Sequence, residues 1–229
     1  MPTISCDAIV FDVGGTLLDV APDAHRRAFD RIAHLGTVPF DAFRDAVNRA
    51  VAEWQAAGGH PSEEDLPTTW ERHYERALGA CGFTGDCAEA ARIIEAAYLV
   101  DGWSVFPDAP ALLQRLHSQG RTLGIISNWP ASLESSLDAA GLRRYFSVII
   151  GSAMTGYAKP HAEIYATAAR QLDLDPSRVL YVGDSVEHDF IGAQHAGFQS
   201  VLLDRHAKHD GRAPRIASLD ALETLLAPA

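Results

Sequence analysis

Lysine is the scarcest basic residue of this 229-residue chain: only Lys159 and Lys208 are present, against 17 arginines. Because lysines are so few, Lys159, which stands next to Pro160, is a candidate for a specific role.

Basic residues as a whole are also fewer than acidic ones, and the net charge is −11. Proteins that bind the nucleic-acid backbone need clustered Lys and Arg, so we expect no nucleic-acid partner. A small anionic ligand is still compatible with this charge if a metal ion and a few cations neutralise it locally.

Cysteine and long apolar segments are also few. The three cysteines are odd in number and show no C-x-x-C spacing, which argues against a disulfide framework and against a zinc site. No uncharged apolar run is long enough to span a bilayer, and the first residues, MPTISCD, do not resemble a secretory signal. We therefore expect a cytoplasmic protein with no membrane partner.

Residues 7–18, DAIVFDVGGTLL, form the most informative stretch. Residues 8–11 have the length and β-branched content of a strand that is buried on both faces. Asp12 would then lie at the carboxyl end of that strand, where open α/β sheets place their ligand crevice. A carboxylate there suits a nucleophile or a metal ligand, and Gly14 and Gly15 permit a sharp turn close to an anion. The simpler alternative is that Asp12 only caps a turn.

Between residues 21 and 98 the hydrophobic pattern is helical. Apolar residues recur on one helical face, as in the series Phe40, Phe43, Val47, Val51 and Trp54. Four helices are predicted, near residues 22–34, 40–54, 63–80 and 86–99, with glycine-containing breaks between them. A four-helix unit that follows the first strand directly is expected to act as a hinged lid.

From Pro107 onward, helices and strands alternate. Strands are expected at residues 122–127, 146–151, 178–184 and 200–204, and helices at 109–119, 133–140, 163–172, 191–196 and 218–226. This alternation predicts an α/β fold, a Rossmann-like doubly wound parallel sheet with helices on both faces. The predicted domains are a core of residues 1–18 and 104–229 and a four-helix cap of residues 19–103.

Polar residues stand at or just after the ends of the predicted strands, and such ends meet at one edge of a parallel sheet. They are Asp12, Thr16, Ser127, Asn128, Lys159, Asp184 and Asp189. Taken singly, Ser127 could cap a helix, Lys159 could be a solvated loop residue and Asp184 could be an N-cap. Together, the acids Asp12 and Asp184, a lysine and a hydroxyl at one edge meet the requirements of phosphoryl chemistry.

Phosphoryl transfer gives each of these residues a role. Asp12 and Asp184 offer the oxygen ligands that Mg²⁺ takes beside substrate phosphate and water. Asp189 would orient the water shell of the metal, or Lys159. Mg²⁺ and Lys159 would offset the repulsion between Asp12 and an incoming phosphate. The phosphoryl oxygens would be held by Ser127 and by backbone N–H groups near Gly14, Gly15 and Asn128.

The motifs D-V-G-G-T-L, S-N, K-P and G-D-S-x-x-x-D-x-x-G-A-x-x-A-G follow one another in this order. Together with the helical insertion, they resemble the haloacid dehalogenase-like (HAD) hydrolase superfamily, in its C1-capped branch, over essentially the whole chain. The resemblance implies that Asp12 is a nucleophile that becomes phosphorylated and that Ser127 and Lys159 bind the phosphoryl group. It also implies that Asp12, Asp184 and the backbone carbonyl of Gly14 hold Mg²⁺, with Asp189 in support. Thr16, Gly15 and Asn128 complete the predicted substrate-binding set.

The sequence departs from the family at one position. Phosphatases of the family usually read D-x-D-G-T, and their second aspartate protonates the leaving alcohol; here that position is Gly14. General acid–base catalysis is commonly worth about 10²–10⁴-fold in rate, so alkyl phosphates are expected to react slowly unless another group substitutes. His25 and His188 are candidates, although each is more often an ordinary surface histidine. A phenol, an acyl phosphate or a phosphoanhydride would need no proton on leaving.

Other branches of the superfamily also replace this aspartate. Phosphonatases rely on a lid lysine, and the predicted lid of this chain contains none. The 2-haloacid dehalogenases need no metal and lack the Gly-Asp pair of the last motif, so Asp184 favours a phosphatase. Candidates for substrate selection in the predicted cap are Arg26, Arg27, Trp54 and Trp70, although most such residues pack or face solvent.

The sequence thus favours Mg²⁺-dependent hydrolysis of a small phosphorylated metabolite through an aspartyl-phosphate. Neither the metabolite nor the oligomeric state has a signature in the sequence. Two alternatives stay open because Gly14 removes the expected acid. One is a catalytically weak or silent protein that binds a phosphorylated ligand or a protein partner, and the other is a 2-haloacid dehalogenase.

Overall fold

A computed structural model of the protein describes residues 3–56, 69–209, 211 and 214–227. Eight strands lie in these residues: β1 (Ala8–Phe11), β2 (Leu18–Val20), β3 (Trp103–Val105), β4 (Thr122–Ser127), β5 (Val148–Gly151), β6 (Val179–Gly183), β7 (Gln199–Leu203) and β8 (Arg215–Ile216). Six of them form one sheet in the order β5-β4-β1-β6-β7-β8, and every neighbouring pair in it is parallel.

The described α-helices are α1 (Ala24–Ile32), α2 (Phe40–Ala56), α3 (Thr69–Ala80), α4 (Cys87–Asp101), α5 (Asp108–Ser118), α6 (Leu133–Ala139), α7 (Ser152–Thr155), α8 (Ala162–Leu172) and α9 (Gly192–His195). Shorter 3₁₀ turns occur at Arg143–Tyr145, Pro176–Arg178 and Leu219–Leu225, and a π-helical turn at Val186–Ile191. Strands and helices alternate from β4 onward, which confirms the predicted α/β, Rossmann-like architecture.

β1 lies inside the sheet, between β4 and β6, and all four of its side chains are buried. Successive side chains of a strand point to opposite faces. Ile9 and Phe11 accordingly join the apolar cluster that includes residues of α5 and α6, whereas Val10 joins the cluster that includes residues of α8. The direction in which successive strands are added to the sheet reverses at β1. β4 and β5 lie on one side of it, and β6 and β7 lie on the other. Open α/β sheets bind ligands at such a reversal, outside the carboxyl ends of the strands.

The helical unit α1–α4 surrounds an apolar cluster of its own, which includes Ile32, Phe43, Leu78 and Ile94. It is joined to the sheet through the antiparallel pair β2–β3. The four predicted helices are present, but the start of the third and the break predicted at residues 58–61 fall outside the described residues. β2 and β3 were not predicted because three residues give too few alternations to identify a strand. The domain boundaries at residues 19 and 103 stay a prediction.

Two helices near the end of the chain differ from the prediction. The helix predicted at residues 218–226 is a 3₁₀ turn, and the helix predicted at 191–196 follows a π-helical turn. In that turn the N–H of Phe190 donates to the carbonyl of Ser185 at 3.0 Å, a step of five residues. π-helical turns are often associated with functional sites, and this one contains Asp189. Within the described residues, no helix is both long and apolar enough to cross a bilayer.

A nearly buried ion pair connects three segments that are far apart in the sequence. Arg205 makes a bidentate pair with Asp108, at 2.8 and 2.9 Å, and also donates to the carbonyl oxygen of Thr16 at 2.9 Å. Asp108 in turn accepts from the backbone N–H of Leu219 at 2.9 Å. The Arg205 guanidinium lies 3.9 Å from the ring centroid of Phe106. The pair therefore ties the loop after β1 to the start of α5 and to the last 3₁₀ turn.

We expect Arg205→Met to lower the free energy of unfolding by about 3 kcal/mol, because it leaves a nearly buried carboxylate without its cation. Methionine keeps most of the apolar contact with Phe106. The matched control is Arg170→Met, which removes an exposed pair with Glu163 and should cost less than about 1 kcal/mol. Urea denaturation measures both values, and equal losses in the two variants would contradict the role assigned to Arg205.

Candidate active site

Asp12 stands directly after β1 and is buried, and its backbone N–H donates to the carbonyl of Val182 at 2.9 Å. Its Oδ1 accepts hydrogen bonds from Ser127 Oγ at 2.8 Å and from Lys159 Nζ at 2.7 Å. Its other oxygen, Oδ2, accepts no side-chain hydrogen bond from the described residues. One oxygen is thus held in place while the second stays available, an arrangement that suits a nucleophile or a metal ligand.

Lys159 is the central cation of the site, although its side chain is only 3% exposed. Its ammonium lies 2.7 Å from Asp12 Oδ1, 2.5 Å from Asp189 Oδ1 and 3.0 Å from the hydroxyl of Tyr181. Asn128 holds the backbone of the same lysine, because its amide accepts from the Lys159 N–H at 2.7 Å and donates to its carbonyl at 3.0 Å. The side chain of Asn128 therefore positions Lys159, and its predicted contact with substrate stays a prediction.

Asp189 uses both of its oxygens inside the protein. Oδ1 receives the Lys159 ammonium and lies 3.1 Å from the Tyr181 hydroxyl, and Oδ2 accepts from the N–H of Ser185 at 2.8 Å. A Cβ at Gly183 would overlap the carboxylate of Asp189, so the end of β6 must be glycine. These contacts make Asp189 a support for Lys159 and for the loop that carries Asp184.

Asp184 completes an acidic cluster with Asp12 and Asp189. Each of the three carboxylates offers an oxygen, and these three oxygens lie within 4.8 Å of one another. Gly15 makes this approach possible, since its φ of +77° is in the region that favours glycine and a Cβ there would overlap Asp184. The N–H of Gly15 donates to the carbonyl of Leu18 at 2.8 Å. Gly15 thus has a clear steric function, and its binding of substrate stays a prediction.

Charge at the cluster is unbalanced, because three carboxylates surround one ammonium. Burial raises the pKa of Asp184 to about 7, and the negative charges of Asp12 and Asp189 act in the same direction. Burial also raises the pKa of Asp12, although the Lys159 charge opposes it. For Lys159, burial lowers the pKa, but attraction to Asp12 and Asp189 outweighs it and the net pKa is raised, so the ammonium stays charged. A divalent cation among these oxygens would balance the charge, so the donor set fits Mg²⁺.

The remaining predicted substrate ligand, Thr16, is fully buried. Its Oγ1 has no hydrogen-bond partner among the described residues, and its carbonyl accepts from Arg205. The hydroxyl is therefore buried without a partner in the described part of the chain. Its contact with substrate stays a prediction.

The two histidines proposed as replacement acids differ in what the structure shows of them. His25 Nδ1 is hydrogen-bonded to the Tyr98 hydroxyl within the helical unit. The backbone of His188 is fixed at both ends, because its N–H donates to Ser185 Oγ at 3.1 Å and its carbonyl accepts from the Tyr165 hydroxyl. Among the described residues, no hydrogen bond or ion pair joins either imidazole to the acidic cluster, and a catalytic role for either one stays a prediction.

Four side chains were considered for substrate selection, and the structure describes three of them. Each of these three has contacts inside the helical unit. The Arg26 guanidinium lies 3.5 Å from the ring centroid of Phe40. Arg27 forms ion pairs of 3.4 Å with Asp23 and with Asp101. Trp70 stacks on Tyr74 with centroids 5.4 Å apart. The Trp54 side chain lies outside the described residues.

Sequence reasoning missed Tyr181, whose hydroxyl contacts both Lys159 and Asp189 and lies 2.7 Å from the carbonyl of Ile126. It stands inside the apolar run of β6, where a tyrosine is usually a core residue. Two signals were available in the sequence. Tyr181 stands three residues before Asp184, and a tyrosine hydroxyl that is buried needs a hydrogen-bond partner.

The chain is similar in sequence and in fold to several known hydrolases. The sequence profile of the haloacid dehalogenase-like hydrolases matches residues 6–197. A plasmid-encoded phosphoglycolate phosphatase of Cupriavidus necator is 30% identical, over 100% of this chain and 97% of its own. Another phosphoglycolate phosphatase, from Caulobacter vibrioides, is 31% identical over 85% of this chain and 78% of its own. A 2-haloacid dehalogenase of Pseudomonas syringae pv. Tomato superposes with a TM-score of 0.69 at 26% identity, over 98% of both chains.

The two neighbouring glycines of the first loop are expected to respond oppositely to alanine. Gly15→Ala should lower the free energy of unfolding by about 1–3 kcal/mol, because it combines a positive φ with an overlap on Asp184. At Gly14 the φ is not positive and a Cβ would make an ordinary contact of 3.5 Å with Trp129. Gly14→Ala should therefore be neutral or stabilise by up to about 1 kcal/mol. Urea denaturation of both variants tests the pair, and a tolerated Gly15→Ala would contradict the geometry.

Proposed function

The chain belongs to the haloacid dehalogenase-like hydrolase family, and we propose that it is a Mg²⁺-dependent phosphatase that forms an aspartyl-phosphate on Asp12. The supporting observation is the Asp12 carboxylate, whose Oδ1 is held by Ser127 and Lys159 while Asp184 stands beside it. The relatives named phosphoglycolate phosphatase favour a small phosphorylated metabolite as the substrate. In this proposal, residues 19–103 form a cap over the site.

Asp12, Asp184 and the backbone carbonyl of Gly14 are the groups that would hold Mg²⁺. When bound, the ion supplies positive charge that offsets repulsion between the carboxylates and the phosphoryl oxygens. We place Asp189 behind Lys159, because both of its oxygens already accept hydrogen bonds from the protein. Its part would be to keep the ammonium charged and correctly placed.

In the first step an oxygen of Asp12 bonds to phosphorus while the bond from phosphorus to the leaving-group oxygen breaks, and the bonding pair departs with that oxygen. Lys159 and Ser127 stand at the Asp12 carboxylate, where they can donate to the phosphoryl oxygens as negative charge develops. In the second step water attacks phosphorus, the bond to Asp12 breaks, and phosphate leaves with the carboxylate regenerated. The Lys159 ammonium stays protonated through both steps because Asp189 pairs with it throughout, and its second anionic partner is first the Asp12 carboxylate and then the phosphoryl group that Asp12 carries.

Gly14 limits which substrates this site can use quickly. No side chain at that position can give a proton to the leaving oxygen, and His25 is bonded within the helical unit. We therefore propose a substrate whose leaving group departs without a proton, such as the phosphate ester of a phenol, an acyl phosphate or a phosphoanhydride. Alkyl phosphates would be slow substrates.

The likeness to a 2-haloacid dehalogenase keeps carbon–halogen hydrolysis as a second candidate. Both reactions use a carboxylate nucleophile, so Asp12 alone does not separate them. The cluster of Asp12, Asp184 and Asp189 favours the phosphatase, because displacement of halide does not call for a divalent cation.

Asp12→Asn should reduce hydrolysis of p-nitrophenyl phosphate and of acetyl phosphate at least about 1,000-fold, because it removes the nucleophile. EDTA should abolish the wild-type reaction, and added Mg²⁺ should restore it. Steady-state release of phosphate measures both effects. Asp173→Asn is a matched control, since Asp173 is exposed and its left-handed backbone accepts asparagine.

Three results would contradict the proposal. Turnover that survives in Asp12→Asn would remove the nucleophile from the mechanism. No turnover with any divalent metal would favour a binding protein without catalysis. Release of chloride from a 2-haloacid without added metal would favour the dehalogenase.

Gly14→Asp should raise turnover of an alkyl phosphate at least about 10-fold, because it supplies the acid that is missing beside the leaving group. The backbone at Gly14 accepts a side chain, since a Cβ there makes only an ordinary contact. Gly14→Asn is the matched control, because it has the same shape and no acidic proton to give. The measurement is kcat on the alkyl phosphate in Mg²⁺, and an equal gain in both variants would show that proton donation is not the cause.

A further inference from the structure

An aromatic wall borders the place where Gly14 has no side chain. A Cβ built on Gly14 would lie 3.5 Å from Trp129 Cζ3, and apart from its chain neighbours no other described atom lies within 4 Å of that point. Trp129 is held firmly there: its backbone N–H donates to Ser152 Oγ at 3.1 Å and its carbonyl accepts from the N–H of Ala153 at 3.3 Å. These two bonds fix the Trp129 backbone, and its indole is the side chain that lies nearest to the Cβ position of Gly14.

Trp103 extends this wall toward the helical unit. The ring centroids of Trp103 and Trp129 are 4.5 Å apart, with their planes inclined by 47°. Trp103 is the first residue of β3, where the chain returns from α4, and it is half-buried, whereas Trp129 is buried. The pair thus runs from the loop that follows Ser127 to the junction with the helical unit, and part of it is open to solvent.

The wall lies beside the nucleophile. Trp129 is two residues beyond Ser127, which donates to Asp12, and Gly14 is two residues beyond Asp12 itself. A substrate whose phosphoryl group meets Asp12 has its remaining atoms on the far side of phosphorus. The side chain nearest to the Gly14 Cβ position is the Trp129 indole, which is apolar and carries no acidic group. Trp129 is only 6% exposed, so the half-buried Trp103 supplies most of the accessible surface of the pair.

We infer that the substrate is an aryl phosphate, whose aromatic leaving group packs against Trp129 and Trp103. This rests on the proposed phosphatase function and names its substrate class. Two independent features agree with it. The wall matches a planar apolar ring, and a phenolic oxygen, with a pKa of about 10 against about 15.7 for water, leaves without the acid that Gly14 lacks. Acyl phosphates share the second feature but not the first.

The reaction balances with water as the only co-reactant. The bond from phosphorus to the phenolic oxygen breaks as Asp12 bonds to phosphorus, and the pair leaves on the aryloxide. Water then displaces Asp12 from phosphorus, and its protons are shared between the released phosphate and the aryloxide. The products are a phenol and hydrogen phosphate.

Phenyl phosphate and acetyl phosphate form the test pair, because both leaving groups depart without a proton and only one carries a ring. Trp103→Ala should lower the ratio of their kcat/KM values, phenyl over acetyl, about 10-fold in Mg²⁺. Trp103→Phe should restore most of that ratio, because it keeps an aromatic face. An unchanged ratio in Trp103→Ala would overturn the inference. Failure of the wild-type protein to hydrolyse either compound would instead overturn the proposed phosphatase function.

A binding measurement on the wild-type protein covers the case in which Trp103→Ala does not fold. Phenylphosphonate and methylphosphonate carry the same anionic group and cannot be hydrolysed, so their affinities isolate the contribution of the ring. By calorimetry in Mg²⁺, phenylphosphonate should bind at least about 10-fold more tightly. Equal affinities would overturn the inference whatever the rates show.

Discussion

The site depends on one buried ammonium shared by two carboxylates. Lys159 lies 2.7 Å from Asp12 and 2.5 Å from Asp189, and all three side chains are almost completely buried. A lysine in such a place keeps its charge only while both partners are present, since burial alone would favour the neutral amine. Each partner comes from a different segment, so the ammonium holds the end of β1 against the π-helical turn after β6.

Backbone geometry has been adapted to this arrangement at several points. Gly15 and Gly183 leave room for the carboxylates of Asp184 and Asp189, and Asn128 fixes the backbone on both sides of the Lys159 α-carbon. They set the positions of the charged groups, and electrostatic stabilisation of a transition state requires such groups to be in place beforehand.

The strand ends could be predicted from the sequence because the burial pattern of a strand is a local signal, and the carboxyl ends of parallel strands meet at one edge of the sheet. That reasoning brought Asp12, Ser127, Lys159 and Asp184 to one edge, where the structure has them. It did not show that Asn128 would bond to the Lys159 backbone or that Tyr181 would contact the ammonium. Both contacts depend on how loops that are far apart in the sequence are placed relative to each other. A single sequence has no periodic pattern that reports this placement. The strands β2 and β3 were missed because each has only three residues.

The loop after β1 shows how the absence of an acidic side chain at position 14 changes which leaving groups the site favours. An acid at position 14 would let the site release leaving groups of high pKa, and it would present a charged surface to them. Glycine there removes the proton donor and leaves Trp129 as the nearest wall. The chemical restriction and the apolar surface then select in the same direction, toward a leaving group that is both stable as an anion and flat. Specificity in this proposal therefore arises from the site as much as from the helices above it, and Trp103 is the residue where the two meet.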